Sequence, residues 1–165
     1  MQSRIILNTP LIKRMISALP GVDNGRVVIN PGSPGTLTLI VNQLHIGQDE
    51  VQIPLQLHLG SSPDYRGIGT SLRLTNWHIR DGSLWFTLRQ IGNLPGALFR
   101  PFQGALIKLL DGIVQQRYGN AVQLQQQDGQ LGIPLAAFLD RWGNLYPPIR
   151  VTGIEVNDGV ILHLG

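Results

Sequence analysis

Four histidines offer the most chemistry in this chain, and each lies between apolar neighbours: His45 between Leu44 and Ile46, His58 between Leu57 and Leu59, His78 between Trp77 and Ile79, His163 between Leu162 and Leu164. In an extended strand that alternation sends every imidazole to the side opposite the aliphatic residues. If neighbouring strands bring two or three together, they gain the means to hold a metal or to titrate near the ordinary histidine pKa of about 6.5. None has a ligand-spaced partner in sequence, so the expectation is solvent-facing strand positions and no metal site. The one adjacent carboxylate pair, Asp49-Glu50, reads as the polar tip of a Gly-flanked turn between strands, not as an acid–base couple.

Other motifs of reaction chemistry are missing from the sequence. Gly67-Ile68-Gly69 lacks a third glycine and leads into a strand where phosphate binding needs a helix, so it reads as a turn. No Gly-x-Ser-x-Gly elbow and no His-Glu-x-x-His helix occurs. With no cysteine there is no disulfide, thiolate nucleophile or thiolate zinc site. No residue is therefore nominated as catalytic and no cofactor is expected; the chain reads as non-enzymatic, with an enzyme working through the histidine face as the remaining alternative.

The elements that carry these residues follow from periodicity. Asn8 and Thr9 are N-cap candidates before Pro10, and Leu11, Ile12, Met15, Ile16 and Leu19 repeat at helical spacing until Pro20-Gly21. From Val27 to Leu88 the period falls to two, most cleanly at Val51, Ile53, Leu55, Leu57 and Leu59. Leu37, Leu39 and Val41 change phase before Leu44 and Ile46, and Leu72 and Leu74 change phase around Asn76 before Trp77 and Ile79; both slips predict β-bulges. Asp81-Gly82 makes residues 71–90 a hairpin, with similar Asp-Gly turns at 128–129 and 158–159. Residues 97–118 form the longest helix, with Leu98, Phe102, Leu106, Leu109 and Ile113 on one stripe and Gly119 as its stop. Gly104 and Gly112 inside it point to close approach by the sheet or a ligand. A short helix is expected after Pro134, ending before Pro147-Pro148. Residues 73–82 and 150–159 also echo each other weakly, hinting at duplicated topology.

These readings predict one α+β domain spanning 1–165: a twisted antiparallel sheet of hairpins packed around one long amphipathic helix, plus short helices. Trp85 alternates against Leu84 and Phe86, so it faces away from them, toward a covered surface or a contact site. Charged residues make up 14% of the chain against a usual share of about 25%, and its arginines are scattered singly, which argues against nucleic acid as a partner. No apolar run approaches the roughly 18 residues of a membrane helix, so the sequence as it stands reads as cytoplasmic. Lys13 and Arg14 on the first helix leave peripheral membrane contact open.

The closing stretch, Pro147-Pro148, then Val151-Thr152-Gly153-Ile154-Glu155-Val156, Asp158-Gly159 and a final alternating strand, together with the helix before it, resembles the bacterial branch of the tubular lipid-binding, BPI-like superfamily. That resemblance implies a sheet wrapped round a helix to make an apolar groove; it brings no catalytic residues. The expected function is binding of an apolar small molecule or membrane lipid in a groove lined by Leu55, Leu57, Trp77, Phe86, Phe102 and Leu106. The same six residues equally suit a dry core, the commoner fate of such side chains. The alternative is a structural or protein-interaction domain that forms a homo-oligomer through an uncharged, Gln/Thr-rich sheet face or edge.

Overall fold

A computed structural model describes residues 3–30, 35–59, 67–91, 96–119, 123–135 and 150–165. The chain runs β1 (Ser3–Asn8), α1 (Thr9–Ser17), β2 (Arg26–Ile29), β3 (Gly35–Ile40), a 3-10 turn (Val41–Gln43), β4 (His45–Ile46), β5 (Glu50–Leu59), β6 (Ile68–Arg80) and β7 (Ser83–Ile91). It continues with α2 (Gly96–Tyr118), β8 (Gln125–Gln127), β9 (Gln130–Pro134), β10 (Val151–Val156) and β11 (Gly159–Leu164). Every pairing is antiparallel. Seven strands follow the order β2-β3-β5-β6-β7-β9-β8 with β4 added beside β5, and a separate three-stranded sheet has the order β1-β11-β10.

This architecture corrects the α+β expectation. Strand residues outnumber helical ones more than twofold among the described residues, and two antiparallel sheets set the fold. The long helix is not its axis. Among the described side chains, α2 supplies Phe99, Phe102 and Leu106 as buried members of the main core cluster, with Ala105, Ile107, Leu109 and Leu110 packed against it. The other buried members come from the large sheet and the 3-10 turn, among them Val27, Leu37, Leu39, Leu55, Leu57, Leu72, Phe86 and Leu131. The error has a physical source: period-two and period-3.6 patterns identify which face of an element is dry, but not how many strands share a sheet.

Alternation explains the large sheet's inner face. Leu57 pairs with Leu37 and Leu55 with Leu39, so four aliphatic side chains point the same way and are at most 4% exposed. Burying each such side chain contributes about 1.5–3 kcal/mol. The predicted slip around Asn76 is a bulge between Thr75 and His78, with Asn76 at φ 55°. The predicted bulge after Val41 is instead the 3-10 turn, a corner that sends the chain back to β4.

The Asp-Gly turns fall where expected. Asp81-Gly82 and Asp128-Gly129 have positive φ at both residues, the type I′ geometry whose twist matches hairpin strands, and Asp158 is also at positive φ. Asn24-Gly25 makes a further such turn before β2, which alternation alone does not reveal. β1 was also not anticipated: it pairs along its length with β11, bringing the two ends of the described chain together. α1 lies within the predicted span, held by the Asn8 side chain, which accepts from the Leu11 amide at 3.0 Å. In α2, a side chain at Gly104 or Gly112 would meet nothing within 4 Å, so no close approach explains those glycines. The short helix predicted after Pro134 falls largely on 136–149, outside the described residues.

A second cluster joins the two sheets. Leu44, Ile46 and Val156 are its buried members, with Ile12 and Ile16 of α1, Ile53, Trp77, Ile154 and Val160 packed on them. The Asp49 amide donates to the Val156 carbonyl at 2.7 Å, tying the β4–β5 turn to the end of β10.

Phe102 has no exposed surface and lies inside the main cluster, so Phe102→Ala is expected to lower unfolding free energy by about 3–5 kcal/mol. Urea unfolding followed by circular dichroism measures this directly; a loss under about 1 kcal/mol would mean that α2 is not seated as described.

Candidate functional site

The outer face of the large sheet holds most of the residues that sequence chemistry nominates. His45 pairs with Gln52 and His58 with Thr36, and His78 pairs with Trp85, which places all three imidazoles on the face opposite the core. His163 is on the other sheet. Among the described residues no three His, Asp or Glu side chains converge as a metal site would require. Two histidines are engaged locally: His78 Nδ1 lies 2.8 Å from the Asn76 carbonyl, and His163 Nε2 lies 2.7 Å from Glu155.

Glu50 belongs to the outer face as the start of β5, and not to a turn tip as its sequence suggests. The Arg73 guanidinium donates to one carboxylate oxygen, and the Gln52 amide donates to the other at 3.0 Å. The bond from Arg73 holds the Glu50 carboxyl below its ordinary value, outweighing desolvation, with Gln52 and the nearby His45 acting in the same direction. Asp49, its sequence neighbour, does not join this network; it takes a positive φ and uses its amide on Val156. The carboxylates thus have separate structural roles.

Trp85 proves to be covered by its own sheet. It is 5% exposed, with the Arg80 guanidinium 4.4 Å from the ring centroid and the indole Nε1 donating to the Arg80 carbonyl at 3.2 Å. Beneath the ring lies Gly132, where any Cβ would come within 2.9 Å of the indole; a glycine is what lets the ring lie flat on β9. Arg80 in turn reaches Gln127, and Ser83 reaches Gln125, so the aromatic is locked between polar partners.

The six proposed groove residues come together, but as packing. Leu55, Leu57, Phe86, Phe102 and Leu106 are at most 3% exposed members of the main cluster, and Trp77 packs against it with its ring 4.9 Å from Phe86. Open space lies elsewhere. A cleft of about 220 Å³ sits between α2 and the β8–β9 hairpin, with Leu88, Ile107 and Leu131 as its apolar lining and Gln103, Gln126 and Gln130 around them. Asp111 fixes its geometry: one carboxylate oxygen accepts from the Leu124 amide at 2.9 Å and the other from the Gln115 side chain at 2.9 Å, tethering the approach to β8 onto the helix. The sequence offers no sign of this role beyond the position of Asp111 off the apolar stripe of α2. A shallower depression on the outer face, bounded by Ile40, Pro54, Gln56 and Ser71, has no floor of side chain at Gly69.

Because the folded-state Glu50 pKa is lowered, its ionised form stabilises the fold above the unfolded carboxyl's value, and that contribution disappears as pH falls through the lowered value. Wild type should therefore exceed Glu50→Gln in stability near neutral pH, with the gap closing as pH falls through the lowered value. Melting curves of both proteins across this range test the assignment; a gap independent of pH would refute it.

Compared with known proteins, the chain matches no family model, no curated protein and no solved structure.

Proposed function

We propose that the chain is a non-enzymatic binding module for an apolar small molecule or membrane lipid, received in the cleft between α2 and the β8–β9 hairpin. The observation that carries this reading is the composition of the cleft. Leu88 and Leu131 belong to the buried core cluster, so a guest entering there adds to an existing apolar layer, while the surrounding glutamines supply donors and acceptors for a polar end. Its volume is below the roughly 300 Å³ at which drug-sized pockets begin. The fit is to a ring or a chain segment, with the rest of the ligand outside. The support is this local geometry; the sheet is not built round a helix, so the groove implied by the family resemblance is not its basis.

A second reading, self-association through the sheet, is favoured by the edges of the large sheet, β2 and β8, which pair with no further strand among the described residues. β8 is three exposed glutamines, and Val28 on the opposite edge strand is 63% exposed. Edge strands with little charge, here Arg26 alone, offer unpaired backbone groups to another chain.

Ile107→Trp tests the cleft by filling it from α2. Titration with a fluorescent fatty acid should show saturable uptake by wild type and background signal for the variant, with both proteins melting cooperatively. Equal uptake by the two, or none by wild type, would defeat the proposal. A dimer in sedimentation equilibrium that Val28→Lys or Gln126→Pro dissolves would favour the second reading.

A further inference from the structure

We infer that α1 is a docking surface for an anionic lipid bilayer, lying along it with the flank formed by Leu11, Met15 and Ala18. This extends the membrane-lipid half of the reading above but uses a different surface, so each can fail without the other.

The helix has two apolar sides. Ile12 and Ile16 face inward and pack on the cluster of Leu44, Ile46 and Val156. Leu11 and Met15, four residues apart and so stacked on one face, are 41% and 52% exposed. Ala18 is exposed one turn further on, and Arg14 is exposed beside the stripe. A helix that needed only to seal the core would carry one apolar stripe; this one carries a second that the described residues leave open. The helix is fixed in place by the Asn8 cap, by the Thr9 hydroxyl donating to the Asp158 carbonyl at 3.1 Å, and by Ile12 and Ile16, so its outer flank is presented by a rigid base.

Charge decides the occupant. Residues 1–22 contain Arg4, Lys13 and Arg14 and no acidic residue, and the remaining ten basic residues are balanced by ten acidic ones. The whole net charge of +3 therefore resides in the segment bearing the exposed stripe. Apolar side chains that enter the acyl boundary, with cations beside them at headgroup level, are the two features by which an interfacial helix binds anionic lipid. Ile6 of β1, 58% exposed and two residues from Arg4, adds another apolar side chain to the same basic segment. The acidic groups of the neighbouring sheet are Asp158, beside the helix start, and Glu155, which His163 engages.

Co-sedimentation of the full chain with phosphatidylcholine vesicles, with and without phosphatidylglycerol, is the test. Binding should require phosphatidylglycerol and fall steeply as salt rises. Arg14→Gln, which removes the exposed cation beside the stripe, should weaken it by about fivefold, the effect of one surface cation. Leu11→Ser with Met15→Ser should abolish it, with far-ultraviolet circular dichroism and melting temperature close to wild type. The cleft variant Ile107→Trp should bind vesicles like wild type, which separates this surface from the fatty-acid cleft. No vesicle binding, equal binding to neutral and anionic vesicles, or wild-type binding by the Leu11/Met15 variant would each overturn the inference. So would a dimer that the Leu11/Met15 variant dissolves without any vesicle binding, since the stripe would then belong to a second copy of the chain.

Discussion

The two hydrophobic clusters meet at Trp77, and one left-handed asparagine puts it there. In β6 the inward positions are Leu72 and Leu74; continued strictly, that phase would turn Asn76 and His78 into the core and Trp77 and Ile79 out to solvent. Asn76 at φ 55° inserts one residue into the ladder, and the phase reverses. Asparagine tolerates that conformation better than most side chains. After the bulge Trp77 lies across Phe86 with 28° between ring planes, donates its Nε1 hydrogen to the Leu74 carbonyl at 3.1 Å, and packs on both clusters. The bulge is thus what lets a single strand serve the large sheet along its first half and the junction with the small sheet along its second.

That junction makes the fold depend on contacts distant in sequence. The small sheet places the last strand, β11, between β1 and β10, and its residues Ile154, Val156 and Val160 are packed with Leu44 and Ile46 from a distant part of the chain. Forming it requires closing a loop of nearly the whole chain, an entropy cost that is repaid only when the second cluster assembles. α1 benefits from this arrangement: its inner side is part of the same cluster, so its position is set by the closure and not by its own short length, which would leave an isolated helix marginal.

What could be read from the sequence divides along the same line. Local signals were legible: five alternating residues from Val51 to Leu59 gave β5, Asp-Gly pairs gave three hairpins, and Asn8 with Pro10 gave the start of α1. Non-local ones were not. Ile5-Ile6-Leu7 is a continuous apolar run with no period, and its partner is at the other end of the chain, so β1 had no local mark. The partition of strands into two sheets, which overturns the expected single sheet around a helix, is likewise a matter of pairing. The candidate site shows the same limit. Leu55, Phe86 and Phe102 share the main cluster, but whether such a side closes or opens depends on how far α2 and the β8–β9 hairpin stand apart. That distance is set by Asp111 holding the Leu124 amide, a bond that no spacing rule announces.

The two faces of the large sheet also differ in what they leave for a partner. On the outer face the groups with chemical potential are already satisfied by neighbours: Glu50 by Arg73 and Gln52, Trp85 by Arg80 and Gly132, Gln125 by Ser83. Detaching any of them to bind something else would forfeit a contact already made, and a new partner would have to replace it. On the inner side the apolar residues are satisfied by one another. Among the described residues, exposed apolar surface remains on the outer flank of α1 at Leu11 and Met15 and on strands at Ile6, Val28 and Ile68, while Ile107 at the cleft is partly buried against the main cluster. Under the proposed reading, a chain so sparing of charge would use such places for recognition, because there an apolar contact and a polar partner are available within a few residues of each other.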